Sequence, residues 1–172
     1  MPDSRLSVTE YAVLGVLAEK PSHGFAISKE LGPTADLGRV FTVRRTLVYR
    51  ALDRMAGFGY AETISTEPGA GPQRVVYRVT PAGRRRLRRW LAEPVAHVRD
   101  MRLEFLLKLE LHRRAGGSPL QTIRSQREAL APTLKALAHT EPDRDDYAEL
   151  WRRHNALAAL AFLDQLETLH QD

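Results

Sequence analysis

After Gly57 and Gly59 the spacing of apolar residues changes character, and that change limits the architectures open to this 172-residue chain. Before the glycines, apolar residues recur at helical intervals. After them, "YAETISTE" and "QRVVYRVT" alternate and are rich in β-branched and aromatic side chains, as strands are. Between the two lies "PGAGP", whose prolines and glycines favour a turn. Helices leading into one hairpin, with a further helix after it, describe a winged helix-turn-helix.

Local punctuation sets the expected boundaries. Ser7 and Glu10 stand at capping-box spacing ahead of a first helix. Its Val8, Tyr11, Val13, Leu14, Val16 and Leu17 cover more than one face, enough to meet its own domain and a second subunit. "SHGFAISKEL" reads as a second helix stopped by Gly32 and Pro33. A third is expected from near Thr42 to Ala56, with Val48, Ala51, Leu52 and Met55 on one side. In the hairpin, Arg74 and Arg78 share one face while Val75, Tyr77 and Val79 share the other. Thr80 and Pro81 then suit the N-cap and first position of the helix "PAGRRRLRRWLAE".

The remainder reads as helical. "DMRLEFLLKLELHRRAGG" comes first; "SPLQTIRSQREAL" follows, with a kink or break expected at Pro132. A last helix from about Asp143 to His170 places Tyr147, Leu150, Trp151, Leu157, Ala158, Ala161 and Leu169 near one side. The expected fold is mainly α: a winged helix-turn-helix domain of three helices plus a β-hairpin wing over residues 1–92, then an all-helical region over 93–172.

Charge separates the same two halves. Residues 1–92 carry fifteen Lys+Arg against eight Asp+Glu, whereas residues 93–172 carry eleven against thirteen. Eleven arginines fall between Arg44 and Trp90, so a polyanionic partner is expected of the first half. The absence of cysteine removes disulfides, thiolate metal sites and cysteine nucleophiles, and fits a cytoplasmic setting. No apolar run reaches the roughly 18 residues of a membrane span, and the first residues lack the order of a signal peptide. The six histidines show no HExxH spacing, and GxSxG, Walker and GxGxxG patterns are missing, so neither an enzyme nor a metal or organic cofactor is expected.

The third helix is the natural reader of a major groove, and its outward residues would be Arg44, Arg45, Thr46, Tyr49 and Arg50. Arginine can bond a guanine edge or a phosphate, Thr46 a thymine methyl or a phosphate, and Tyr49 a phosphate. The same residues would also suit a solvated helix face with Tyr49 tucked inward. Arg74 and Arg78 fit either a DNA contact from the wing or the charged edge that keeps strands from aggregating. "RRRLRRW" must spread its charge around a helix, so only part of it could face one partner. Trp90 and Trp151 could stack a flat ligand or pack an interior or an interface.

Four stretches carry a family resemblance. "LSVTEYAVLGVLAEKPSHGFAISKEL", with its His-Gly-aromatic step, resembles the opening of PadR-type transcriptional regulators. "LVYRALDRMAGFGY" is similar to that family's recognition helix, and "VVYRVTPAGRRRL" to its wing. "RLEFLLKLELHRRAG" is similar to the helical C-terminal region of the longer members. Phe25 stands where the family often has tyrosine, and Arg44-Arg45 where it often has Gly or Pro. The resemblance implies a homodimeric repressor bound to an inverted-repeat operator in double-stranded DNA, with Tyr49 and its neighbours on the DNA. It also implies C-terminal helices clasping the partner subunit, and relief by a small aromatic or hydrophobic ligand. The alternative from a different class is a winged-helix scaffold for protein partners without specific DNA binding.

Overall fold

The computed structural model describes residues 6–67 and 73–170, and the chain divides into two compact units, Met1–Trp90 and Leu91–Asp172. In the first, α1 (Val8–Glu19), β1 (Ser22–His23), α2 (Gly24–Glu30), α3 (Asp36–Val40) and α4 (Arg45–Gly57) precede β2 (Ala61–Glu67) and β3 (Arg74–Val79). Helix α5 (Pro81–Ala92) closes the series. This is a winged helix-turn-helix, and the "PGAGP" turn lies outside the described residues.

The expected caps are present as hydrogen bonds. Ser7 Oγ accepts from Glu10 N at 3.4 Å, while the Glu10 carboxylate accepts from Ser7 N at 2.6 Å. That carboxylate is 3% exposed and also holds Arg54 Nε of α4 at 3.1 Å, so one capping box joins two helices. Thr80 Oγ1 accepts from Gly83 N at 3.1 Å at the start of α5 and donates to Gly59 O at 2.6 Å. Gly59 itself sits at φ 70°, where a side chain would be strained. Leu14, Leu17, Ile27, Leu31, Leu37, Leu52 and Met55 are all but sealed from solvent. Each such side chain contributes about 1.5–3 kcal/mol relative to exposure.

Several details differ from the pattern in the sequence. Residues 41–44 are not helical: Val43 N donates to Leu31 O and Thr42 Oγ1 to Gly38 O, which holds this segment extended ahead of Arg45. Helix α3 and strand β1 were not signalled, since neither is long enough to show a period. The sheet therefore has three strands, ordered β1-β3-β2 and antiparallel throughout. Strict alternation along β3 fails as well: Val76 and Val79 are buried while Val75 is exposed. Val76 pairs with His23 of β1, and a register shift between Thr63 and Ser65 bends β2.

The second unit is helical. Helix α6 (Val98–Asp100) runs through a wide π turn (Met101–Phe105) into α7 (Leu106–Arg114), followed by α8 (Leu120–His139) and α9 (Tyr147–Leu169). Helix α8 continues through Pro132 without the expected break, because Leu130 and Leu134 on either side are buried in the core shared with Ala156 and Leu163 of α9. Packing there outweighs one lost backbone bond. Arg127 of α8 also reaches Asp164 and Glu167 of α9, the latter at 2.5 Å. The segment ahead of α6 is pinned by two buried side chains. Lys108 Nζ donates to Glu93 O at 2.6 Å, and Gln126 exchanges two bonds with the Val95 backbone at 2.7 and 3.1 Å. Among the described residues, no helix is long and apolar enough to cross a membrane.

Candidate nucleic-acid interface

Helix α4 buries Val48, Ala51, Leu52 and Met55, which turns Thr46, Tyr49 and Arg50 to solvent. Arg44 is the extended N-cap residue, and Arg45 opens the helix. These five residues, expected as DNA contacts, are all exposed; Tyr49 is 39% so. Their neighbour Arg54 is instead committed to Glu10 and to the Phe58 ring, 5.5 Å from its Cζ.

The start of α4 faces the wing and the start of α2 across a groove of about 440 Å³. Arg45 and Tyr49 enter it from α4, Arg74 and Tyr77 from β3, and Gly24 and Phe25 from α2. The local sequence "HGF" explains how α2 fits. His23 Nδ1 caps the helix by accepting from Ala26 N at 3.1 Å. Gly24 lies so close to Tyr49 that a Cβ there would stand 2.7 Å from the ring, and Phe25 turns its own ring toward the arginines. Burial, helped by nearby Asp53 and Tyr49, raises the Tyr77 hydroxyl pKa above its ordinary value, so Tyr77 stays a neutral hydrogen-bonding group.

The two wing arginines differ. Arg78 grips Glu62 directly across the strands, with Nε and Nη2 at 3.0 and 2.7 Å from one carboxylate oxygen. Arg74 lies over Phe25 with its Cζ 5.8 Å from the centroid, inside the groove. The expected DNA set thus divides: Arg45, Tyr49 and Arg74 meet in one groove, Arg44, Thr46 and Arg50 are exposed on or at the start of α4, and Arg78 is engaged by an acid. His23, Gly24, Phe25, Gln73 and Tyr77 were not anticipated as groove residues. Only the His-Gly-aromatic step pointed toward them, because their meeting depends on contacts between distant segments.

Trp90 stacks on Tyr11 with ring centroids 4.3 Å apart and planes 7° from parallel, and is 5% exposed. Trp151, by contrast, is 70% exposed. It lines a cavity of about 640 Å³ in the second unit together with Val98, Leu137, Arg102, Arg152 and Asn155.

Comparison with known proteins finds similar sequences and a similar fold. The family model described as "Transcriptional regulator PadR-like family" matches residues 13–89. The chain is 27% identical over 92 residues to the probable transcriptional regulator Rv1176c of Mycobacterium tuberculosis, covering 54% of this chain and 48% of the relative. It is 24% identical over 103 residues to the negative transcriptional regulator PadR of Bacillus subtilis, covering 60% and 56%. The matched part thus spans about half the length of either curated relative. In fold, the chain is similar to the crystal structure of Bacillus subtilis PadR in complex with operator DNA. That likeness has a TM-score of 0.51 and 19% identity over 97% of this chain and 98% of the other. Residues 13–89 are thus similar in sequence to transcriptional regulators of the PadR-like family, and the chain shares its fold with a PadR structure.

Proposed function

We propose that the protein is a sequence-specific transcriptional regulator that binds double-stranded DNA through α4 and the wing, acting as a homodimeric repressor. The observation that carries this reading is the convergence of Arg45 and Tyr49 from α4 with Arg74 from β3 in one open, basic groove. Arg44, Thr46 and Arg50 extend the same surface. Phosphate contacts from the groove fix the register, while α4 reads base edges in the major groove. Repression is supported by the name of the Bacillus subtilis relative, a negative regulator.

Self-association is supported by α9, which buries Ala156, Ala159 and Leu163 yet leaves Tyr147, Trp151 and Leu169 at 74%, 70% and 65% exposure. A second copy covering that side would remove a large apolar surface from water. The operator would then be an inverted repeat with recognition helices roughly 34–36 Å apart. Relief by a small aromatic or hydrophobic ligand is assigned to the Trp151 cavity, because the Trp90 ring is already used against Tyr11.

The test is capture of genomic DNA fragments by the purified protein at near-physiological salt, followed by sequencing. Enrichment of a few fragments sharing an inverted repeat is the expected result. Uniform or negligible recovery would overturn the reading and favour the protein scaffold. Light scattering should give a dimer for the native chain and a shift toward monomer for Trp151→Ala; a strict monomer would remove self-association.

A further inference from the structure

Three cations from three elements approach one aromatic ring at the mouth of the groove. Lys29 Nζ of α2 lies 4.9 Å from the Phe25 centroid, Arg45 Cζ of α4 lies 5.1 Å away, and Arg74 Cζ of β3 lies 5.8 Å away. Arg45 is also 5.6 Å from the Tyr49 ring. Like charges gathered this closely repel one another, so the cluster needs a compensating group. A carboxylate would compensate them but would occupy the guanidinium donors, as Glu62 does for Arg78. The face of a phenyl ring attracts a guanidinium through its quadrupole and takes none of the N–H groups. Arginines held in this way keep their planar fork available for a phosphate.

We propose that Phe25 is a positioning residue for DNA binding: its ring holds Arg45 of the recognition helix and Arg74 of the wing so that both close on the same backbone phosphate. Phe25 touches no DNA in this arrangement; it couples two elements that would otherwise present their charges independently. The groove between them is open, and in this proposal its occupant is one phosphodiester of the duplex, an anionic, tetrahedral oxygen-bearing group. This inference rests on the DNA-binding reading above.

The experiment measures fluorescence anisotropy with mixed-sequence double-stranded DNA across a salt series, because a phosphate contact does not depend on base sequence. Phe25→Leu should weaken binding about fivefold, the effect of losing two cation–π contacts. It should also make the salt slope shallower by about 0.9, the value of one phosphate. Phe25→Tyr, which keeps the ring, should restore both. In an Arg45→Gln/Arg74→Gln background, Phe25→Leu should have no further effect. Without DNA, nuclear magnetic resonance of the arginine Nε–H groups should show ring-current shifts that vanish for Arg74 and shrink for Arg45, which keeps the Tyr49 ring, in Phe25→Leu, and that persist in Phe25→Tyr. Native affinity and slope in Phe25→Leu, or an undiminished loss in the double-arginine background, would overturn the positioning role while leaving DNA binding intact. Failure of the native protein to show any salt-dependent DNA binding would overturn the DNA reading and this role together.

Discussion

Gly24→Ala separates folding from recognition more cleanly than any substitution on α4 itself. A Cβ at Gly24 would lie 2.7 Å from Tyr49 Cε1, 2.9 Å from Cζ and 3.1 Å from Cδ1. Carbon atoms in ordinary contact stand about 3.5–4.0 Å apart, so the Tyr49 ring must withdraw by roughly 1 Å. It has room to do so, because Tyr49 is 39% exposed. Forcing the ring off its preferred rotamer costs about 0.5–1.5 kcal/mol. Gly24 is the first residue of α2 and is not at positive φ, so alanine there returns about 0.4–1 kcal/mol by restricting the unfolded chain. The two nearly cancel, so the thermal unfolding midpoint should move by no more than about 4 °C. DNA affinity should respond more strongly: the displaced Tyr49 loses its phosphate bond and Arg45 loses one of its two rings. A hydrogen bond to a charged group contributes about 1.5 kcal/mol or more, which predicts a loss of about tenfold. Circular dichroism gives the first quantity and anisotropy on mixed-sequence duplex the second. A variant that unfolds far below the native midpoint would show that the ring cannot yield, and unchanged affinity would show that Tyr49 does not meet DNA from this orientation.

Other substitutions test the remaining assignments. Arg74→Gln should flatten the salt dependence of DNA binding by about one phosphate, whereas Arg78→Gln should change it less because Glu62 already holds that side chain; equal changes would erase the distinction. Lys108→Met leaves the Glu93 carbonyl without its buried donor and Glu104 without a cation 3.0 Å away. It should cost about 1–3 kcal/mol in denaturant unfolding, with the salt dependence of DNA binding unaltered, and an unmoved midpoint would refute the clamp. His112 lies 3.0 Å from Thr122 Oγ1, and burial lowers its pKa below the ordinary value of 6.5. The unfolded chain then binds more protons at that residue, so its contribution to stability is intact above about pH 6.5 and is lost as pH falls toward the lower folded value. His112→Gln should therefore lose less stability than the native chain on acidification, and parallel pH profiles would contradict this.

What could be read from the sequence was what depends on neighbours in the chain. Ser7 with Glu10, Thr80 with Pro81 and Gly59 after α4 act within a few residues, so spacing alone exposed them. The buried side of α4 was legible because Val48, Ala51, Leu52 and Met55 repeat at the helical period. Helix α3 and strand β1 were not, since each is held by partners elsewhere: α3 by packing Leu37 into the core, β1 by the edge of β3. Arginines were visible as a set, but their division into groove residues and structural ones was not. Glu10 meets Arg54 across 44 positions and Glu62 meets Arg78 across 16, distances over which one-dimensional spacing carries no signal. Local caps and periods determined that a winged helix with a helical C-terminal region would form. Tertiary packing decided which charges remain free, because a guanidinium is available to DNA only if no carboxylate reaches it first.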